Sequence, residues 1–225
     1  MRKIMFNDKY NLTQAVLNGR KTMTRRVITD KKLHYWKCSC PDMVIVKIPE
    51  LQKLKVGDDN SYFGIKDKIS SEYYCDIITS PYKVGEVVAI AQSYKDIADP
   101  QDEAQNVLGL YKVGDKLLSM EEMVAGWNNK LFVKSCWMPH HIRITNVKIE
   151  RLQDISDDEC LKEGIYEDSG DDEFPPSIFY EFEGNKDDGF DTPLEAFAAL
   201  IDKVSGKGSF QSNPYVFAYE FELID

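Results

Sequence analysis

The residues from Gly19 to Arg26, GRKTMTRR, place four cations and two hydroxyls within eight positions. Lys21 and Thr24 are the two that could do covalent chemistry. A threonine hydroxyl is a weak nucleophile until a neighbour takes its proton, and a lysine whose pKa is lowered by burial can take it while a carboxylate orients the amine. Glu163, closing the segment ISDDECLKEG, is the carboxylate set beside them. Arg20, Thr22, Arg25 and Arg26 could instead grip a phosphate or a base edge. His140 and Arg143, at the head of an apolar run, are further candidates for ligand contact. Each has an ordinary alternative: basic runs decorate surface turns, Arg25 and Arg26 could pair with the acidic end of the chain, and Glu163 could be a solvated helix end.

The elements that must hold these residues can be read from pattern. Asn7 or Asp8 can cap a helix with Leu12, Ala15 and Val16 at helical spacing, and Gly19 stands where a C-terminal glycine belongs, which would present the basic run as a fixed loop. Tyr82 to Ala91 reads as a turn at Gly85 and a buried strand, Val87 to Ile90. Ile142 to Ile149 reads as a strand with Ile142 and Ile144 on one face, Val147 and Ile149 on the other, and a bulge at Asn146. Ser156 with Glu159 forms a capping box for a short helix ending at Glu163 and Gly164. Thr192, Pro193 and Glu195 open a helix whose apolar stripe is Leu194, Phe197, Leu200, Ile201 and Val204. Tyr215 to Leu223 alternates as a strand with one buried aromatic face. The stretches at about 30–80 and 95–130 are irregular, the first with an apolar run Met43 to Ile48, the second with a hairpin around Val113 to Leu118. Residues 167–189 read as an acidic mobile loop.

Length and composition bound the function. The chain has 225 residues, enough for one domain and cramped for two, with 43% hydrophobic and 12% aromatic residues. Its net charge of −10 is divided unevenly: residues 1–149 carry +6 and residues 150–225 carry −16. Bulk coating of nucleic acid is disfavoured, while one basic face for a single nucleotide or flipped base remains open. Five cysteines, an odd number, suggest reduced thiols and a cytoplasmic protein. No signal peptide and no run of about 18 apolar residues is present, so no membrane is expected as a partner. Cys38 and Cys40, near His34 and Cys75, lack the paired spacing of a zinc knuckle, and no metal is assigned. No phosphate-cradling glycine loop or nucleophile elbow occurs, and no cofactor is called for. Tyr94 and Trp137 could stack on a base.

The ordered series GRKTMTRR, YKVGEVV, WMPHHIRI, ERLQDISDDECLKEGI and NPYVFAYEFEL resembles the ASCH-domain family, a PUA-like group common in phage and prophage genomes. The resemblance spans about half the chain and leaves out the two irregular stretches. It departs from many phage members at Ala89 to Ser93, where those carry an Arg and a Glu. It implies an α+β fold, a small PUA-like β-barrel with peripheral helices and inserted loops over residues 1–225, and a cleft that binds RNA or a modified nucleoside. Small members are amidohydrolases that deacetylate acetylcytidine, which by resemblance assigns Thr24 as nucleophile, Lys21 as base and Glu163 as its orienter. A third possibility is a phage-derived module that binds a protein partner through acidic residues such as Asp171, Asp172 and Glu173.

Overall fold

The computed structural model describes residues 1–29, 43–47, 62–67, 73–100, 109–169, 178–185 and 189–225. Its elements run β1 (Lys3–Ile4), α1 (Leu12–Leu17), β2 (Met23–Val27), β3 (Met43–Lys47), β4 (Tyr62–Asp67), β5 (Tyr73–Thr79), β6 (Val87–Ile90), α2 (Tyr94–Ile97), β7 (Asp99–Pro100), β8 (Leu110–Val113), β9 (Lys116–Ser119) and α3 (Met120–Met123). They continue with β10 (His141–Arg151), α4 (Asp157–Lys162), β11 (Tyr166–Ser169), β12 (Ile178–Glu181), α5 (Pro193–Ser205) and β13 (Tyr215–Leu223). The fold is α+β, and the described strands form separate sheets of five, three, three and two strands.

The five-stranded sheet, ordered β1-β6-β10-β13-β2, carries the site. Strand β13 lies inside this sheet, between β10 and β2, and both of its faces are covered. Val216, Phe217, Ala218, Tyr219 and Phe221 are all buried, which corrects the expectation of one buried face. Phe217 meets Phe63 of β4 with ring centroids 5.9 Å apart, so the β3–β4–β5 sheet covers that side. On the other side Ala218 pairs with Arg25, whose guanidinium lies 5.8 Å from the Phe197 ring of α5.

The bulge in β10 falls where the apolar phase changes. Register shifts between Ile144 and Asn146, so Ile144 faces Phe221, Val147 faces Tyr219 and Ile149 faces Phe217. One extra residue inverts the alternation, and the four apolar side chains expected on two faces share one.

Local signals set the helices. Ser156 accepts from the Glu159 amide at the start of α4, and Thr192 accepts from the Glu195 amide at the start of α5. Two loops expected from sequence contain strands: half of the basic run is β2, and residues 166–169 pair with 178–181 as a hairpin. The β8–β9 hairpin turns at Gly114, whose φ of +60° favours glycine. Tyr94 and Trp137 pack against each other at a tilt of 43°, centroids 6.1 Å apart, in a second apolar cluster. His34, Cys38, Cys40 and Asp171 to Glu173 lie outside the described residues, as does the Cys75 side chain. No helix among the described residues is long and apolar enough to cross a membrane.

Because Phe197 is wholly buried and Val204, on the same helix, is 37% exposed, Phe197→Ala should cost about 3–5 kcal/mol and Val204→Ala under about 0.5 kcal/mol. Urea unfolding midpoints at constant slope would read the difference, and equal losses would contradict the packing described.

Candidate functional site

A cavity of about 490 Å³ opens beside β2, between the N-terminal residues Met5 to Asn7 and the second half of α5. Lys21, Thr24, Arg25, Arg26 and Glu163 are all in its wall. Gly19, at φ +72°, ends α1, and the chain then passes through Lys21 into β2. The Lys21 amide donates to Ala15 O and the Thr22 amide to Lys162 O, which ties this turn to α1 on one side and to α4 on the other.

Lys21 is buried, and its Nζ donates to Glu163 Oε2 and to the Glu163 carbonyl, each at 2.6 Å. The local reason lies in α4. Glu163 is its C-terminal cap, where carbonyls lack helical partners and the dipole favours a cation. Gly164 follows at φ +105°, a conformation that a residue with a Cβ adopts under strain, and this turn leaves the Glu163 carbonyl facing Lys21. Burial pulls the Lys21 pKa down, the Glu163 carboxylate raises it, and the Arg26 and Arg25 charges lower it again; the net direction is downward. Such an amine can exist neutral at a pH where an exposed lysine would not. Thr24 is also buried, and its hydroxyl makes no hydrogen bond among the described residues.

Arg25, although it lines the cavity, is engaged within the protein. Its side chain is 1% exposed and is held by Glu150 at 2.6 Å, Glu159 at 2.5 Å and Glu163 at 3.2 Å. Burial opposes its charge, but Glu163, Glu150 and Glu159 raise its pKa above the ordinary value. Lys148 completes the network, 2.8 Å from Glu150 and in contact with Glu159. Arg20 is likewise committed, to Glu183 and to the face of Tyr166. Arg26 donates to the Met5 carbonyl, lies over the Phe6 ring, and has no carboxylate partner among the described residues; burial lowers its pKa. The Cys160 thiol, buried behind this network, is pushed up to about 12 by burial.

The other expected contacts lie elsewhere. Thr22 serves through its backbone, accepting from the Phe221 amide. His140 and Arg143 do not line the cavity, because they sit at the opposite end of β10 from Glu150. His140 Nδ1 is 3.2 Å from Asp225 O, and Arg143 pairs with Glu222 at 2.9 Å. Glu150, Glu159 and Lys148 were missed in the sequence. The signal that could have found them is alternation, which puts Lys148 and Glu150 on the face of β10 that Arg25 shares across β13.

Replacing Arg25 by Met should destabilise the protein by about 3 kcal/mol at neutral pH, because it leaves buried carboxylates short of a cation. Lys148 and Arg25 together overcome partial burial and hold the Glu159 carboxyl below its usual pKa. Stability from such a depressed acid is present above the unfolded pKa and lost as pH falls through the folded one. The variant loses part of that depression, so its deficit should shrink on acidification. Urea midpoints at neutral and at mildly acidic pH would check this, and a deficit that grows in acid would contradict it. No protein-family model, curated protein or solved structure significantly matches the chain.

Proposed function

We propose that the chain is an ASCH-type amidohydrolase whose cavity takes one acylated cytidine-like nucleoside. The observation that carries this reading is the buried Lys21–Glu163 pair lining the same cavity as an unpartnered Thr24 hydroxyl. The arginine pairing supports a small ligand over a polyanion, since Arg20 and Arg25 already have carboxylate partners. The cavity volume falls within the range of small-molecule sites. The ordered motifs support the family reading. With them we read the β1-β6-β10-β13-β2 and β3–β4–β5 sheets as the walls of a PUA-like barrel, on the packing of Phe63, Ile65 and Ile78 into the core that holds Phe217.

In this mechanism neutral Lys21 takes the Thr24 proton as Oγ1 attacks the acyl carbonyl. The tetrahedral adduct collapses, the C–N bond breaks, and the Lys21 ammonium returns the proton to the departing exocyclic nitrogen. The acyl group is then an ester on Thr24. Water, deprotonated again by Lys21, attacks that ester and releases the carboxylic acid and the free hydroxyl. Glu163 orients the amine throughout with its carboxylate and its carbonyl.

A second reading, nucleoside recognition without turnover, draws on the same pair. A 2.6 Å contact with a carboxylate favours the ammonium, which is not a base.

Acetate release from N4-acetylcytidine tests both. Lys21→Ala and Thr24→Ala should each lower kcat by about 100-fold or more, while Thr24→Ala keeps its affinity for cytidine. The base must be neutral, so the wild-type rate should rise with pH and level off above the lowered Lys21 pKa, that is, below the 10.5 of a free lysine. A rate that falls over that range would exclude Lys21 as the base. Cytidine binding with no acetate released at high enzyme concentration would leave the second reading.

A further inference from the structure

We infer that Lys130 is a positioning residue for the ligand cavity, reaching from the 109–137 excursion to fix the cavity's N-terminal wall; this rests on reading the cavity as a nucleoside site. Met5, Phe6, Asn7 and Leu12 form that wall, and all four come from the segment between β1 and the first turns of α1. Such a connecting segment has few ladder bonds of its own, so its carbonyls must find donors elsewhere. Two cations supply them. Arg26 donates to the Met5 carbonyl from within the site. Lys130, 124 positions away from Phe6 in sequence, donates to the Phe6 carbonyl at 2.5 Å.

The Lys130 ammonium has three hydrogens and three acceptors: Phe6 O, Asp8 Oδ1 at 2.8 Å and Thr13 Oγ1 at 3.2 Å. It therefore clasps both ends of the turn that leads into α1. Its own backbone is clasped in return. Lys3 Nζ donates to Lys130 O at 2.8 Å, Leu131 O at 2.7 Å and Val133 O at 2.8 Å, and Asn129 caps the turn by accepting from the Leu131 amide at 3.1 Å. Lys130 is 8% exposed, so the ammonium would have little water to replace these partners. The excursion thereby becomes part of the cavity's construction.

The division of labour follows from the geometry. Lys21, Thr24 and Glu163 are held by β2 and α4, neither of which touches Lys130 in any contact above. Phe6 and Asn7 face them across the cavity, and the Phe6 ring is packed on Phe221 with centroids 5.7 Å apart. Releasing the Phe6 carbonyl should loosen the wall that encloses a ligand while leaving the groups that break the bond in place. Affinity should suffer and turnover of bound substrate should not.

Lys130→Met keeps the aliphatic stem and removes the ammonium. With N4-acetylcytidine its KM should rise by about tenfold and its kcat stay within about twofold of wild type, with the Kd for cytidine by calorimetry weakened in parallel. Amide hydrogen exchange should quicken over Met5 to Leu12 and stay unchanged in β10 and β13. Lys134→Met, which removes a lysine of the same excursion lying 4.8 Å over Trp137, should change none of these. Thr13→Val, a milder loss of one acceptor, should raise KM by about threefold and serves if Lys130→Met does not fold. A Lys130→Met protein that is folded by circular dichroism and keeps wild-type KM and cytidine affinity would overturn the inference, as would kcat and KM changing together. If wild type neither hydrolyses acetylcytidine nor binds cytidine, the nucleoside reading fails. The exchange pattern then decides by itself: unchanged exchange over Met5 to Leu12 would overturn the positioning role.

Discussion

The constraint on which the site depends is the burial of the Lys21 ammonium. An ion taken out of water costs several kcal/mol unless partners at hydrogen-bond distance offset it. Lys21 therefore requires Glu163, and Glu163 can supply both a carboxylate and a carbonyl because it caps α4. The second oxygen of that carboxylate would be exposed to the same penalty, and it meets Arg25. Arg25 in turn gathers Glu150 and Glu159, and Lys148 balances those. Each compensation calls in the next, so β2, α4 and β10 are fixed relative to one another by electrostatics as well as by packing. Removing one member strands the rest, which is why a buried network of this kind is costly to alter even where it adds little net stability.

The same network reinterprets the chain's uneven charge. The basic excess of residues 1–149 and the acidic excess of residues 150–225 suggest a basic face and an acidic face. In the fold they meet. Arg20 takes Glu183, Lys21 takes Glu163, and Arg25 takes Glu150, Glu159 and Glu163. Part of the charge that reads as a surface potential in one dimension is thus paired internally in three, while the chain as a whole keeps its net −10. Counterion release, the usual source of affinity for a polyanion, would draw less on Lys21 and Arg25, which already have carboxylate partners, than on Arg26, which is held by a carbonyl.

Local signals in the sequence were strong where one residue type has one structural use. Ser156 with Glu159, Thr192 with Glu195, Gly19 after α1 and the phase change in β10 each specified a cap, a stop or a bulge that is found at that position. What the sequence did not show was which elements share a side. Met23 to Val27 pattern as a loop because four cations crowd the run, yet they form an edge strand because β13 offers a ladder and Arg25 has carboxylates to meet. Val216 and Ala218 are buried where β13 meets β2, and there Ala218 pairs with Arg25 from the other end of the chain. The roles of Glu150, Glu159 and Lys130 were illegible for the same reason: a charged side chain in an irregular or half-exposed stretch reads as solvated until its long-range partner is known.

Of the three described cations in the cavity wall, Lys21 and Arg25 are balanced by carboxylates and Arg26 is held by a carbonyl, so on the proposed reading the site would select its ligand by shape and hydrogen bonding as well as by charge. On that reading a neutral amide held there would meet one lysine and one hydroxyl of the cavity wall, with less competition from water than on an open surface. The same reading gives the cavity walls weight, since affinity for an uncharged nucleoside would come from enclosure. The N-terminal wall is secured from two directions, by Arg26 from the site itself and by Lys130 from the excursion. A stretch that contributes no reacting group would thus help to set which ligand fits, through a single ammonium whose three hydrogens all have acceptors.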